Sequence, residues 1–181
     1  MCIRDRLEVG VVPVGIETYA NSRRLEKSFR LQGADLETEY TAIEAAIQRP
    51  LVKEADFHGK AAHLSHREED PCAILCTMTL DDLNVSGVPR YPVGISPIID
   101  PATVEVPVDR KGRRSYTTGM SYCPSIKKFV VMGYLPKELA IQGKQLLIEY
   151  FNEDGDGVYP ITVHIVGKGS LYDPNNEKVR S

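Results

Sequence analysis

No apolar run in this chain approaches the roughly 20 residues that cross a bilayer as a helix. No internal repeat and no low-complexity block is visible, so a repeat array is not expected. The net charge is −3, which gives no electrostatic case for nucleic acid or an acidic membrane surface. Cysteine is scarce: Cys2, Cys72, Cys76 and Cys123 are the only four. Cys72-x3-Cys76 has no second pair or histidine cluster beside it, so the two read as small buried thiols rather than metal ligands. There is no secretory signal, and a reduced, cytoplasmic protein is expected. The serines lack a nucleophile-elbow context. Gly112, Gly119 and Gly167 form no phosphate-binding loop. His58, His63 and His66 fall on or near one predicted helix, but no third ligand is placed beside them, and no metal site is expected.

What is present is an ordinary globular composition, 26% charged and 42% hydrophobic over 181 residues. A chain of this length, folded compactly, can bury about 70% of its unfolded surface. Residues 1–6 fit no targeting class and read as a non-native leader. Leu7 to Val14 is apolar and β-branched, which predicts a strand. Ile16 to Phe29 shows helical spacing, and Gly33 turns the chain. Thr41-x-x-Glu44 is a capping-box pattern opening a short helix that Pro50 ends. Asp56 is the expected N-cap of a helix from Phe57 to Arg67, with Phe57, Ala61 and Leu64 on one face.

After Asp70 helical spacing gives way to short alternating runs: Cys72–Leu80, Ser115–Thr118, Lys128–Leu135, Gln145–Tyr150 and Ile161–Val166. Six prolines and glycines between Pro89 and Pro107 predict a long loop between the first two runs. Asp154-Gly155-Asp156-Gly157 predicts a turn. The tail from Asp173 is polar and expected to be extended or loose. His164 alternates with core residues and should face outward.

One stretch, Arg24-Leu25-Glu26-Lys27-Ser28-Phe29-Arg30-Leu31-Gln32-Gly33-Ala34-Asp35-Leu36 followed by Glu44, resembles the "RLE…G-D…E" segment of the glycine cleavage T-protein family. Those are folate-dependent aminomethyltransferases and demethylases. Three further segments resemble the same family in the same order. They are Asp56-Phe57-His58-Gly59-Lys60; Thr117-Thr118-Gly119 with Ser125-Ile126-Lys127-Lys128; and Met132-Gly133-Tyr134-Leu135-Pro136 with Gly143-Lys144-Gln145-Leu146. Leu171-Tyr172 falls where the family has its closing aromatic segment. The wording around Arg24 is most similar to the folate-binding half of dimethylglycine and sarcosine dehydrogenases. The chain departs from the T-protein pattern at Gln32, at Arg49-Pro50 and in the insertion-like stretch Val93–Val108.

The resemblance implies an α+β chain. Residues 7–70 would be the C-terminal fragment of a folate-binding region, residues 71–172 a small antiparallel β-barrel, and residues 173–181 a polar tail. It implies transfer of a one-carbon unit from a methylated amine or other methyl donor to tetrahydrofolate. The family's catalytic aspartate would lie upstream, so no catalytic residue is expected here, and the isolated chain should be inactive and bind folate weakly or not at all. FAD would enter only with an upstream flavin domain. A non-catalytic barrel that docks on a partner is the other open reading.

By resemblance Glu26 would hydrogen-bond the pterin ring, whose N–H groups suit a carboxylate. Its residues alone also permit a helix ion pair with Arg23 or Arg30. Arg24 would orient Glu26 or face solvent. Glu44 has a full structural account as the partner of Thr41, beside a possible ligand contact. Lys53 lies near the position where the family offers a basic residue to the folate tail carboxylates, or is simply solvated, and Lys178 and Arg180 could reach the same carboxylates unless the basic tail is disordered. Tyr172 would stack in the folate pocket or simply pack.

Overall fold

The computed structural model describes residues 16–80, 84–85, 88–89, 95–152 and 155–180. The expected leader and the strand over Leu7–Val14 lie outside the described residues. Helix α1 (Ile16–Glu26) comes first, followed by irregular turns to helix α2 (Lys60–Glu68). The strands are β1 (Ala73–Leu80), β2 (Asn84–Val85), β3 (Val88–Pro89), β4 (Ile98–Ile99), β5 (Thr117–Cys123), β6 (Lys128–Pro136), β7 (Gln145–Asn152) and β8 (Gly155–Val166), and α3 (Glu177–Arg180) ends the chain. Among the described residues no helix is long and apolar enough to cross a membrane.

Six strands make one antiparallel sheet in the order β4-β7-β8-β1-β6-β5. The sheet curls until its edges meet. Thr117 N–H donates to the Ser96 carbonyl (2.9 Å), Ile95 N–H to the Thr117 carbonyl (3.0 Å) and Ile98 N–H to the Ser115 carbonyl (3.1 Å). Gly133 sits at that junction. A Cβ there would lie 2.7 Å from the Tyr116 carbonyl oxygen and 2.9 Å from Ile98 Cδ1, so no larger residue fits.

Strand alternation sorts the core into two clusters. Cys76, Met78, Leu80, Phe129, Val131, Leu135, Leu146, Ile148, Tyr159, Ile161 and Val163 fill the inside of the curl with Ile98. The opposite faces of β1 and β6, carrying Ala73, Leu75, Val130, Met132 and Tyr134, pack on Leu25, Tyr40 and Ala45. Both faces of β1 are therefore buried, and Cys76 is fully covered while Cys72 is half-covered. Burial pushes the Cys76 thiol up to about 12.

Several boundaries differ from expectation for identifiable reasons. Helix α1 stops at Glu26, not Phe29. Ser28 adopts φ 53°, its N–H donates to the Leu25 carbonyl (3.0 Å) and Phe29 N–H donates to the Arg24 carbonyl (2.7 Å). That is a Schellman C-cap built on serine instead of glycine. The capping pair Thr41/Glu44 forms, with Thr41 N–H on Glu44 Oε2 (2.9 Å) and Glu44 N–H on Thr41 Oγ1 (3.2 Å), but it closes a turn rather than a helix. Helix α2 begins at Lys60 after Gly59 at φ 81°, so Asp56 is not its cap. None of its residues is buried, and Leu64 and Phe57 stay exposed. Gly155, Asp156 and Gly157 belong to β8 and pair with β7 instead of forming the turn. The stretch between β1 and β5 holds β2, β3 and the edge strand β4. His164 is half-buried, its ring Nε2 2.8 Å from Thr79 Oγ1.

Candidate functional site

The RLE segment folds as the end of α1 and the turn behind it. Ser22, Leu25 and Glu26 lie at helical spacing and are all buried, because this face docks on β5 and β6. The Glu26 carboxylate, 3% exposed, accepts the Ser125 N–H (2.9 Å) at the β5–β6 turn. The Glu26 carbonyl accepts the Tyr172 N–H (3.0 Å), so the structure brings these two expected site residues side by side. Lys27 then ties down the following segment. Its Nζ donates to the Asp173 carbonyl (2.7 Å), Asn176 Oδ1 (2.9 Å) and the Tyr172 carbonyl (3.3 Å). Asp173 Oδ1 in turn accepts the Glu177 N–H (2.8 Å), which starts α3. The tail is thus folded against α1 rather than loose. Lys178 Nζ lies 4.9 Å above the Tyr172 ring, a cation–π contact.

Arg24 does not serve Glu26. Its guanidinium pairs with Asp35 (2.5 Å), a carboxylate with no exposed surface, and its Nε donates to Asn21 Oδ1 (2.7 Å). Asp35 also accepts the Leu31 N–H (2.8 Å) and the Thr118 hydroxyl. Gly119 makes room for this pair, since a Cβ there would overlap the Arg24 guanidinium. Glu44, 1% exposed, is held by Arg113 (Nη2 to Oε1, 2.5 Å) in addition to Thr41. Burial alone would raise the Glu44 carboxyl, but the Arg113 hydrogen bonds and the Thr41 N–H outweigh it and hold the group at about 2. Lys53 is exposed and is not among the residues that line the cavity described next.

Between the end of α1, the 36–50 segment and the 168–176 segment lies an open cavity of about 600 Å³. Lys27, Arg30, Arg49 and Lys168 line it, with Phe29, Leu36, Ile47 and Pro50 as apolar wall, and no carboxylate is among the lining residues. Phe29 is 62% and Ile47 47% exposed, so this wall is open to a ligand. Arg30 staples three sides of the cavity: it donates to the Ala45 carbonyl (2.9 Å), the Gly167 carbonyl (2.6 Å) and the Ser28 carbonyl. Burial pulls its pKa below the ordinary arginine value. None of the five expected site residues lines the cavity, but Glu26 adjoins Lys27, Tyr172 lies between Ser170 and Pro174, and Glu44 is two residues from Ala46. Lys27 is also ion-paired with Asp173 (3.5 Å), which leaves Arg49 and Lys168 as the cations with no carboxylate partner among the described residues. Such a cationic cleft with an aromatic side suits an anionic aromatic ligand. Among the described residues no group of histidine, cysteine and carboxylate side chains could hold a metal ion.

Comparison with known proteins agrees with the resemblance carried by these segments. The mitochondrial dimethylglycine dehydrogenase of Rattus norvegicus is 30% identical over 158 residues, and an aminomethyltransferase of Francisella philomiragia is 30% identical over 151 residues. The chain is a relative of the aminomethyltransferases, the glycine cleavage T-proteins. These matches cover 81% and 79% of the chain, but only 15% of the dehydrogenase and 38% of the aminomethyltransferase. No protein-family model matches the chain. The fold agrees too: the glycine cleavage system aminomethyltransferase T of Bartonella henselae superposes with a TM-score of 0.61 at 23% identity, over 80% of this chain and 36% of that one.

The cations of the cavity escaped the sequence reading of this T-protein relative. Lys27 and Arg30 sit inside the segment that carries the resemblance, where Arg30 reads only as a helix ion-pair partner of Glu26 and Lys27 has no role of its own, and Arg49 reads only as a departure from the family pattern. Lys168 belongs to the closing segment, whose approach to α1 no local pattern announces.

Proposed function

We propose that this chain supplies the C-terminal part of a tetrahydrofolate-dependent aminomethyltransferase or demethylase, and that the cavity holds part of a reduced folate. The supporting observation is the match between ligand and lining. A folate joins flat aromatic rings to a glutamate carrying carboxylates. The cavity joins an apolar wall at Phe29 and Ile47 to Lys27, Arg30, Arg49 and Lys168, of which Lys27 is already ion-paired with Asp173 (3.5 Å). Glu26 and Tyr172, joined backbone to backbone next to the lining residues Lys27, Ser170 and Pro174, are the residues we assign to the ring end of the ligand, Glu26 through the carboxylate that the Ser125 N–H holds in this structure. Arg24 and Glu44 act behind them by fixing the turn at Asp35 and the 36–47 wall. Lys53 is an exposed cation available to the ligand's tail.

In this reading the 71–172 part is a small closed β-barrel and the 7–70 part belongs to the folate-binding region. Transfer of the one-carbon unit from a small methylated amine or other methyl donor to tetrahydrofolate rests chiefly on positioning of the two reactants. When bound, tetrahydrofolate supplies the acceptor nitrogen; this chain's residues orient it and screen it from water. The acid that assists the transfer belongs to a part of such an enzyme that this chain does not match, so the isolated chain is inactive. Its free thiols at Cys72, Cys76 and Cys123 fit the reducing cytoplasm. The identity to dimethylglycine dehydrogenase favours a second reading, in which the same folate site works downstream of a flavin domain that binds FAD. Isothermal titration of the isolated chain with tetrahydrofolate tests the proposal. Dissociation constants near or above about 1 mM are expected from a partial site, whereas binding in the nanomolar range would show a complete one and contradict it.

A further inference from the structure

Arg113 lies outside the cavity, in the turn before β5, yet most of its side-chain hydrogen bonds end on the segment that forms one cavity wall. It donates to both Glu44 oxygens (2.5 and 3.2 Å) and to the Glu39 carbonyl (2.5 Å). Its guanidinium carbon stands 4.3 Å over the Tyr40 ring, which stacks on Tyr134 at 3.5 Å and 2°. Tyr134 donates its hydroxyl to the Asp35 carbonyl (2.6 Å), at the other end of the same segment. Asp109 anchors the arginine from its own turn (2.7 Å).

The segment 36–47 forms neither helix nor strand, and one backbone bond, from the Leu75 N–H of β1 to the Glu44 carbonyl (2.9 Å), ties it to the sheet. Near its end Ala46, a non-glycine residue at φ 54°, closes the turn as a second Schellman cap, with the Ala46 N–H on the Ile43 carbonyl (3.0 Å) and the Ile47 N–H on the Ala42 carbonyl (3.1 Å). The turn as a whole is then fastened by two arginines, Arg113 on the Glu44 carboxylate and Arg30 on the Ala45 carbonyl. Immediately beyond stand Ile47 and Arg49, which line the cavity. We propose that Arg113 is the positioning residue of this cavity: its clamp on Glu44, Glu39 and Tyr40 fixes the wall that presents Ile47 and Arg49, and thereby sets how tightly the cavity holds an anionic aromatic ligand. Naming that ligand as a reduced folate rests on the function proposed above; the clamp does not.

The chain contains no tryptophan, so Ile47→Trp introduces a lone fluorescent reporter at the wall. The experiment compares this reporter protein with the same protein carrying Arg113→Gln, Arg113→Lys or Glu44→Gln. Glu44→Gln keeps the shape of the site and serves if Arg113→Gln fails to fold. Emission maximum, iodide quenching and thermal midpoint are read first without ligand. The protein is then titrated with 5-formyltetrahydrofolate into the millimolar range. The clamp predicts red-shifted, more quenchable emission in Arg113→Gln and Glu44→Gln, a thermal midpoint still that of a folded sheet, and about tenfold weaker binding. Arg113→Lys, which keeps a cation over Tyr40 but loses the fork, should fall between. Unchanged emission and quenching in both variants overturns the clamp. A moved reporter with unchanged ligand affinity overturns the positioning role. If the reporter protein itself shows no response to the folate, the folate reading fails, and the emission and quenching still decide the clamp.

Discussion

The Arg24–Asp35 pair gives the sharpest stability prediction. Arg24→Met removes the hydrogen-bonded cation and leaves Asp35, with no exposed surface, holding the Leu31 N–H and the Thr118 hydroxyl, with Arg30 the remaining cation in its field. Stranding a buried charge in this way costs about 3–5 kcal/mol. That is a large share of the 5–15 kcal/mol that typically separates folded from unfolded chains. The pair is 12% and 0% exposed on its two sides, so solvent offers little relief. Urea unfolding followed by far-ultraviolet circular dichroism should show the midpoint falling by about 2 M with an unchanged slope. Asp35→Asn added to Arg24→Met removes the stranded charge but keeps an acceptor, and should recover about 2 kcal/mol. Gly119→Ala attacks the same pair from the strand side, because its Cβ would occupy the guanidinium's place. A loss below about 1 kcal/mol in Arg24→Met, or no recovery in the double variant, would refute the reasoning. It would also return Arg24 to the surface role that helix spacing alone permits.

Two further predictions concern other parts of the fold. Gly133→Ala puts a Cβ against the Tyr116 carbonyl and Ile98 Cδ1 where the sheet closes, and should cost about 1–3 kcal/mol in the same urea assay. Glu44 fixes a pH dependence. Its carboxyl sits at about 2 in the folded chain against 4.5 otherwise, so it binds fewer protons folded than unfolded. Its contribution, on the order of 2–3 kcal/mol, is therefore complete above 4.5 and lost as the pH falls from there through about 2. Subtracting the acid-unfolding profile of Glu44→Gln from that of the parent should reveal this step, and parallel profiles would show that the Arg113 pair contributes nothing.

Which parts of this molecule were readable from the sequence follows from the range of the interactions. Strand β1 was readable because its alternation is local and both of its faces are filled. The Thr41/Glu44 capping pair was readable because its partners are three residues apart, although the helix it announced shrinks to a turn. The helix stop at Ser28 was hidden, since a left-handed cap on serine carries no glycine to mark it. The paired glycines at 155 and 157 mimic a turn, yet the long β7–β8 hairpin absorbs them as strand. The clamp on Glu44 was out of reach for a different reason: Arg113 lies 69 residues away and meets it only through the fold. The apolar face of α2 reads as a buried stripe, but none of the helix's residues is buried in the structure. For the site, resemblance marked Glu26 and Tyr172, which the fold joins through one backbone hydrogen bond. The four cations beside them needed the three-dimensional structure, because they come from three separate segments.

The central claim is that the cleft between the end of α1, the 36–50 segment and the 168–176 segment is a folate subsite. Amide chemical-shift mapping during titration with 5-formyltetrahydrofolate tests it most directly. The account predicts saturable shifts, in the millimolar range typical of a partial site, confined to residues around Lys27–Arg30, Ala46–Pro50 and Lys168–Asn176. Shifts centred elsewhere on the chain, or none at saturating ligand, would contradict it.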